Sequence, residues 1–200
     1  ASPGLRIAAQ SCPLAAKAMS SALAETGIAL TKMANDIRLM GSDAIGELIL
    51  PALQAGSSMM PAKVNPVLCE SVEQVAIKVI GSDSIITQCL MQGSRFELNT
   101  CLPLIAGELL ISITLLTNVS HLFAEKCVRG IKANTKVIKD RVERSAMLAT
   151  ALAPEIGYEK AAAIAKEAME KGETILEVAE RRTNIPRAKL KKILDPGKMA

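Results

Sequence analysis

Hydrophobic positions along this chain recur three and four residues apart far more often than they alternate, which predicts helices rather than strands. Leu23, Leu30, Met33, Ile37 and Met40 keep helical spacing within residues 13–40, and Gly41-Ser42-Asp43 supplies a stop. Residues 43–64, punctuated by Pro51, Gly56 and Pro61, read as a long loop; a loop of that length inside a domain is more often functional or disordered than idle. Asn65-Pro66 restarts a helix, with Asn as N-cap and Pro as the first helical residue. It runs through Val72, Val75, Val79 and Ile80 to about Met91, with Gly81 inside it, and Gln92-Gly93-Ser94 breaks it. A further run, from Leu98 or Pro103 to Val128, is apolar on nearly all sides, as suits a helix in the middle of a bundle.

After Gly130 the pattern shortens. Helices are predicted over about 136–152 and over 158–171, the second stopped by Gly172. Thr174-Ile175-Leu176-Glu177 has the spacing of a capping box, and a last helix covers 187–194 before Asp195-Pro196. The pattern is all-α: a long-helix bundle over residues 1–128, carrying a special loop at 51–65, then a small basic helical domain over 129–200.

Composition supports this. Hydrophobic residues make up 50% of the chain, enough for a sizeable core, and the aromatics are only Phe96, Phe123 and Tyr158. Charge separates the two parts. Residues 1–124 carry 7 Lys and Arg against 9 Asp and Glu, whereas residues 125–200 carry 17 against 11. A basic end with Lys132, Lys136, Lys139, Arg181 and Arg182 raises a nucleic-acid-binding module as the weaker reading. Interleaved acids and the near absence of stacking aromatics argue against it. The five cysteines are widely spaced and form no CxxC pair, which disfavours a disulfide framework or zinc site and fits a reducing, cytoplasmic setting. The longest uncharged stretch, Leu109 to Ala124, contains Ser112, Thr114, Thr117, Asn118, Ser120 and His121, and reads as too short and too polar for a membrane span. His121, on this most apolar run, reads as a satisfied core residue.

The densest chemistry lies in Gly56–Pro66, "GSSMMPAKVNP". Gly56 permits a sharp turn or close backbone approach. Ser57 and Ser58 bring hydroxyls and consecutive N–H groups, and Lys63 brings a cation to a region poor in them. Asn65 stands at a helix N-terminus, where free N–H groups and the dipole favour an anion. Glu70 follows just over one turn later. Together these could bind a carboxylate or phosphate beside a nucleophile or base. On residue types alone the same stretch also fits a flexible Gly-Ser-Ser loop before an ordinary helix start.

"GSSMMPAKVNP" resembles the signature loop of the fumarase/aspartase superfamily. "KMANDIRLMGS" resembles the family's long helix before that loop, and "RFELNTCLP" and "EIGYEKAAAIAKEA" resemble the C-terminal half of class II fumarases. The resemblance implies a trans-elimination lyase that forms fumarate or a similar product through an aci-carboxylate dianion, without metal or organic cofactor. By the matched positions, Ser57 is the base, Ser58 helps bind substrate, and Lys63 and Asn65 hold the carboxylate. Glu70 matches a carboxylate that pairs with a catalytic histidine, and that histidine has no match in this chain. The resemblance also implies a homotetramer whose sites draw on several subunits, a small dicarboxylate substrate, and the need for an N-terminal half, as preceding chain or separate subunit. Local resemblances divide between fumarate hydratase, which is favoured, and aspartate ammonia-lyase. A helical relative that has lost catalysis is the alternative of another class.

Overall fold

Long apolar periods do build long helices. The computed structural model describes residues 6–54, 56, 58–60 and 63–199. A short α1 (Arg6–Ser11) precedes α2 (Leu14–Met40); α3 (Val67–Gly93) and α4 (Leu102–Leu122) complete the long elements. α3 packs against both α2 and α4, so it is the middle member of the three. The α2–α3 seam is close: a Cβ added at Gly27 would stand 3.3 Å from that of Ala76. Ala34, Cys69, Val72, Val119, Phe123 and Cys127 form one buried cluster, and Ile86, Cys89 and Ile105 a second.

Two polar clusters cross these seams. Lys17 of α2 reaches both carboxylate oxygens of Asp83 on α3, at 2.6 and 2.7 Å. The buried Ser82 hydroxyl on α3 donates to Glu108 of α4 at 2.6 Å, with Lys78 3.0 Å from the same carboxylate. Those donors, Ser82 first and then Lys78, hold the Glu108 carboxyl below its usual range.

Contacts divide the chain into a unit over Ala1–Lys132 and another over Ala133–Ala200. The second contains α5 (Thr135–Arg144), a 3-10 run (Ala146–Leu152), α6 (Ala153–Ile156), α7 (Tyr158–Lys171), α8 (Ile175–Arg182) and α9 (Arg187–Ile193). Its core gathers Leu148, Leu152, Ile164, Ile175, Val178 and Leu190 with small alanines between. Gly172, left-handed at φ 65°, ends α7, and both halves of the Thr174–Glu177 capping box are made.

Two expectations change and two are narrowed. The helix expected over 136–152 breaks at Ser145, whose extended backbone and capping hydroxyl start the 3-10 run instead. Of the two starts read for the next helix, Leu98 lies in a strand, and the helix begins at Leu102, next to Pro103. Beyond α4 the helix continues through a π turn (Phe123–Cys127) and a 3-10 turn (Val128–Gly130). The whole run, Leu102–Gly130, is long and apolar enough to cross a membrane by length and composition, a test that the core helix of a bundle also passes. Leu109–Ala124 therefore understated its length. His121 is exposed in this chain, on the side of the helix away from Val119 and Phe123, rather than a core residue.

Candidate active site

The loop between α2 and α3 is pinched at its neck. The Gly56 N–H donates to the Lys63 carbonyl at 2.7 Å, and the Asn65 side-chain amide donates to the Gly56 carbonyl at 3.1 Å. Residues seven and nine apart in sequence are thereby fixed side by side at the start of α3. Only glycine fits at the crossing, because a Cβ on residue 56 would lie 2.7 Å from the Lys63 carbonyl oxygen and 3.0 Å from the Asn65 nitrogen.

This geometry corrects the expected helix start. α3 begins at Val67, Pro66 takes the cap position, and no side chain caps it. Asn65 spends its amide on the loop neck instead of the helix, while its carbonyl accepts from the Val67 N–H at 2.9 Å. The substitution has a physical logic: tying a loop closed satisfies the Gly56 carbonyl and leaves the first N–H groups of α3 uncapped by a side chain.

The other expected site residues are placed as follows. Ser57 lies outside the described residues. Ser58 is exposed, as are Met59 and Met60 beside it. Lys63 is exposed, and among the described residues no carboxylate pairs with its ammonium. Glu70 is half-buried in the first turn of α3, its N–H donating to the Pro66 carbonyl at 3.2 Å. The structure thus brings Gly56, Lys63 and Asn65 together, with Glu70 just over one turn beyond.

One neighbour went unrecognised in the sequence. Arg38, in the last turn of α2, stands 3.6 Å from the Glu70 carboxylate and 3.4 Å from that of Glu73. Glu70 and Glu73 are one turn apart on α3, so a single guanidinium faces both acids. Nothing local to either segment signals this; it needs α2 and α3 to pack. Cys69 is a different kind of neighbour. Burial, with Cys127 beside it, pushes its thiol up to about 12, so it stays protonated and packs as a small apolar group. Among the described residues no group of three His, Cys, Asp or Glu could hold a metal ion.

Comparisons with known proteins bear on both ends of the chain. A family model described as "Lyase" matches residues 12–81, which include the loop and the first half of α3. Another, "Fumarase C C-terminus", matches residues 148–200. A class II fumarate hydratase of Pseudomonas aeruginosa is 46% identical over 187 residues, covering 92% of this chain and 41% of that protein. An aspartate ammonia-lyase of a Bacillus species is 44% identical over 184 residues, covering 90% of this chain and 39% of its own length. A solved fumarate lyase:delta crystallin structure from Brucella melitensis superposes with a TM-score of 0.88 at 42% identity, over 96% of this chain and 44% of that one. The chain therefore spans about two fifths of the length of the relatives it matches.

Proposed function

The chain belongs to the fumarase/aspartase superfamily, and on that premise we propose that it is the C-terminal part of a lyase that reversibly hydrates fumarate to malate. The observation that carries this reading is the pinched loop, which gathers Gly56, Lys63 and Asn65 at the uncapped start of α3 beside Glu70. That end of the helix favours a carboxylate, and Lys63 and Asn65 are the residues proposed to hold one.

In the elimination direction Ser57, as alkoxide, takes the proton from the carbon alpha to a substrate carboxylate. The electron pair moves into that carboxylate and produces the aci-carboxylate dianion. Preorganised donors at such a developing charge are typically worth about 3–4 kcal/mol each. The dianion then collapses to a carbon–carbon double bond while the hydroxyl on the neighbouring carbon takes a proton from an acid supplied from outside these residues and leaves as water. Ser58 helps bind substrate, and Glu70 is the carboxylate proposed to pair with a histidine supplied from outside these residues. No cofactor enters this scheme. Closure of the loop over the substrate would exclude water and strengthen each of these charge interactions.

The same chemistry with an amine as leaving group makes aspartate ammonia-lyase the second reading, supported by the Bacillus relative at 44% identity. Since the chain spans about two fifths of its relatives, the pocket is proposed to be completed by an N-terminal part and by further copies in a tetramer. The exposed apolar side chains of α3 and α4, among them Ile77, Leu110 and Ile111, support association. A cytoplasmic location fits the reduced cysteines.

The test is the ultraviolet absorbance of fumarate formed from malate and, separately, from aspartate. The chain is assayed alone and combined with the N-terminal half of a homologous enzyme, beside Ser57→Ala. Turnover of one substrate by the combined protein, falling about 10²–10⁴-fold in the variant, is the expected result. Activity from the chain alone overturns the shared-site reading. A correctly assembled complex that turns over neither substrate points to a non-catalytic relative.

A further inference from the structure

Four of the five cysteines fall into two pairs, one at each end of the α3–α4 seam. Cys69 in the first turn of α3 shares a buried cluster with Cys127, just beyond α4. Cys89 near the end of α3 meets Cys101, the cap residue of α4. In each pair the two thiols are hydrogen-bonded to each other, and all four are free. Access separates the pairs. Cys69 and Cys127 are 2% and 5% exposed, and the Cys69 thiol, pushed up to about 12, offers almost no thiolate. Cys89 is also buried, but Cys101 is partly exposed.

The second pair is held together by its surroundings. Asn99 is buried, and its single carboxamide clasps the backbone of both cysteines. It donates to the Cys89 carbonyl at 3.1 Å and accepts from the Cys101 N–H at 2.8 Å. The Thr100 N–H donates to the Gly93 carbonyl at 2.9 Å and draws the same segment onto α3. Gly93, about one turn beyond Cys89, makes room for the sulfur: a Cβ there would stand 2.8 Å from the Cys101 Sγ and 3.0 Å from the Cys101 Cβ. Ile86 and Ile105 pack with Cys89 on the apolar side. Cys101 stands where the free N–H groups and dipole of α4 favour a thiolate over a thiol. Burial first, then the hydrogen bond with Cys101, raises the Cys89 thiol and keeps its proton in place.

We propose that Cys89 and Cys101 form an oxidisable thiol pair, a modification site for a small hydroperoxide, with Cys101 as the attacking sulfur and Cys89 as the resolving one. The Cys101 thiolate attacks one oxygen of hydrogen peroxide and the O–O bond breaks. Sulfur keeps that oxygen as a sulfenic acid, and the other leaves as hydroxide, which becomes water with the proton the thiol gave up. The Cys89 sulfur then attacks the sulfenic sulfur; the S–O bond breaks, and the hydroxide leaves as water with the Cys89 proton. Two thiols and one peroxide give one disulfide and two waters, the sulfurs losing the two electrons that the peroxide gains. The bond ties the end of α3 to the start of α4. The Cys69–Cys127 pair, equally close but closed to solvent, is the internal control.

The test treats the full chain with hydrogen peroxide under native conditions, with circular dichroism to confirm that it stays folded. Unfolding, alkylation of the remaining thiols and peptide mass spectrometry follow. The expected product is a peptide joining Cys89 to Cys101, cleaved by dithiothreitol, with Cys69 and Cys127 recovered alkylated. Cys89→Ala should stop at a sulfenic acid on Cys101, trapped by dimedone, and Cys101→Ala should leave Cys89 reduced. A link through the exposed Cys12, a Cys69–Cys127 link formed as fast, or four unmodified thiols overturns the proposal. So does a Cys101 that passes to the sulfinic acid in the parent chain without forming the disulfide. The parent chain decides the matter even where a variant fails to fold.

Discussion

The two units of this chain treat their apolar residues in opposite ways. Over residues 133–199 the core is one continuous cluster, and Met147, Tyr158, Met169 and Met199 are the exposed large hydrophobics among the described residues. Over residues 6–132 the core is split in two, while α2, α3 and α4 all leave large aliphatic side chains in solvent, such as Ile28, Ile77 and Leu110. The smaller unit covers its own hydrophobic surface; the longer one leaves much of its own exposed. Length explains part of the difference, because helices of 27 residues reach beyond what two neighbours can bury, whereas short helices can fold around a common centre.

Charge follows the same division. In the smaller unit Glu167, 10% exposed, meets Lys171, Arg181 and Arg182 at 2.7–2.8 Å, a closed network within one fold. In the longer unit Arg38 is shared at 3.4–3.6 Å between Glu70 and Glu73, and Lys63 pairs with no carboxylate among the described residues. The first arrangement sets three cations on one acid; the second shares one cation between two acids.

A paired truncation gives the largest test of this contrast. Ile175→Ala removes a fully buried side chain from the smaller unit and should cost about 2–5 kcal/mol in urea unfolding, independent of protein concentration. Leu110→Ala, at 66% exposure, should change unfolding by no more than about 0.5 kcal/mol at dilution where copies separate, yet weaken association as concentration rises. Equal effects of the two at high dilution would erase the distinction.

Acid titration sharpens the electrostatic half. Lys171 first, then Arg181 and Arg182, hold Glu167 down to about 2 from an ordinary 4.5. Between those values the unfolded chain binds a proton that the folded chain does not, so the network's contribution is present above about pH 4.5 and is lost as pH falls toward 2. Thermal melts across that range should show Glu167→Gln less stable than the parent near neutrality, with the gap closing in acid. Thr174→Ala, which removes the cap of α8, should cost about 1 kcal/mol. Its loss should leave the loop at residues 56–65 unchanged, as amide exchange at Asn65 and Val67 would show.

Much of the architecture was legible because its signals act over a few residues. Gly172 and the Thr174–Glu177 box did what their spacing implied, since a cap is settled by its own turn. The ends of α2 and α3 fell near Gly41 and Gly93 for the same reason. The helix expected through Ser145 failed because propensity alone cannot see the hydroxyl turning back to cap Met147.

At the candidate site the residue types were readable and their bonding was not. The identities of Ser58, Lys63, Asn65 and Glu70, and their nearness to the start of α3, follow from the chain alone. That Asn65 closes the loop on Gly56, that Arg38 faces Glu70, and that three cations converge on Glu167 were decided by tertiary structure. The physical reason is range: periodicity and capping are settled by neighbours three or four residues away. A side chain with several possible partners settles on one only when packing brings a distant segment within hydrogen-bonding reach.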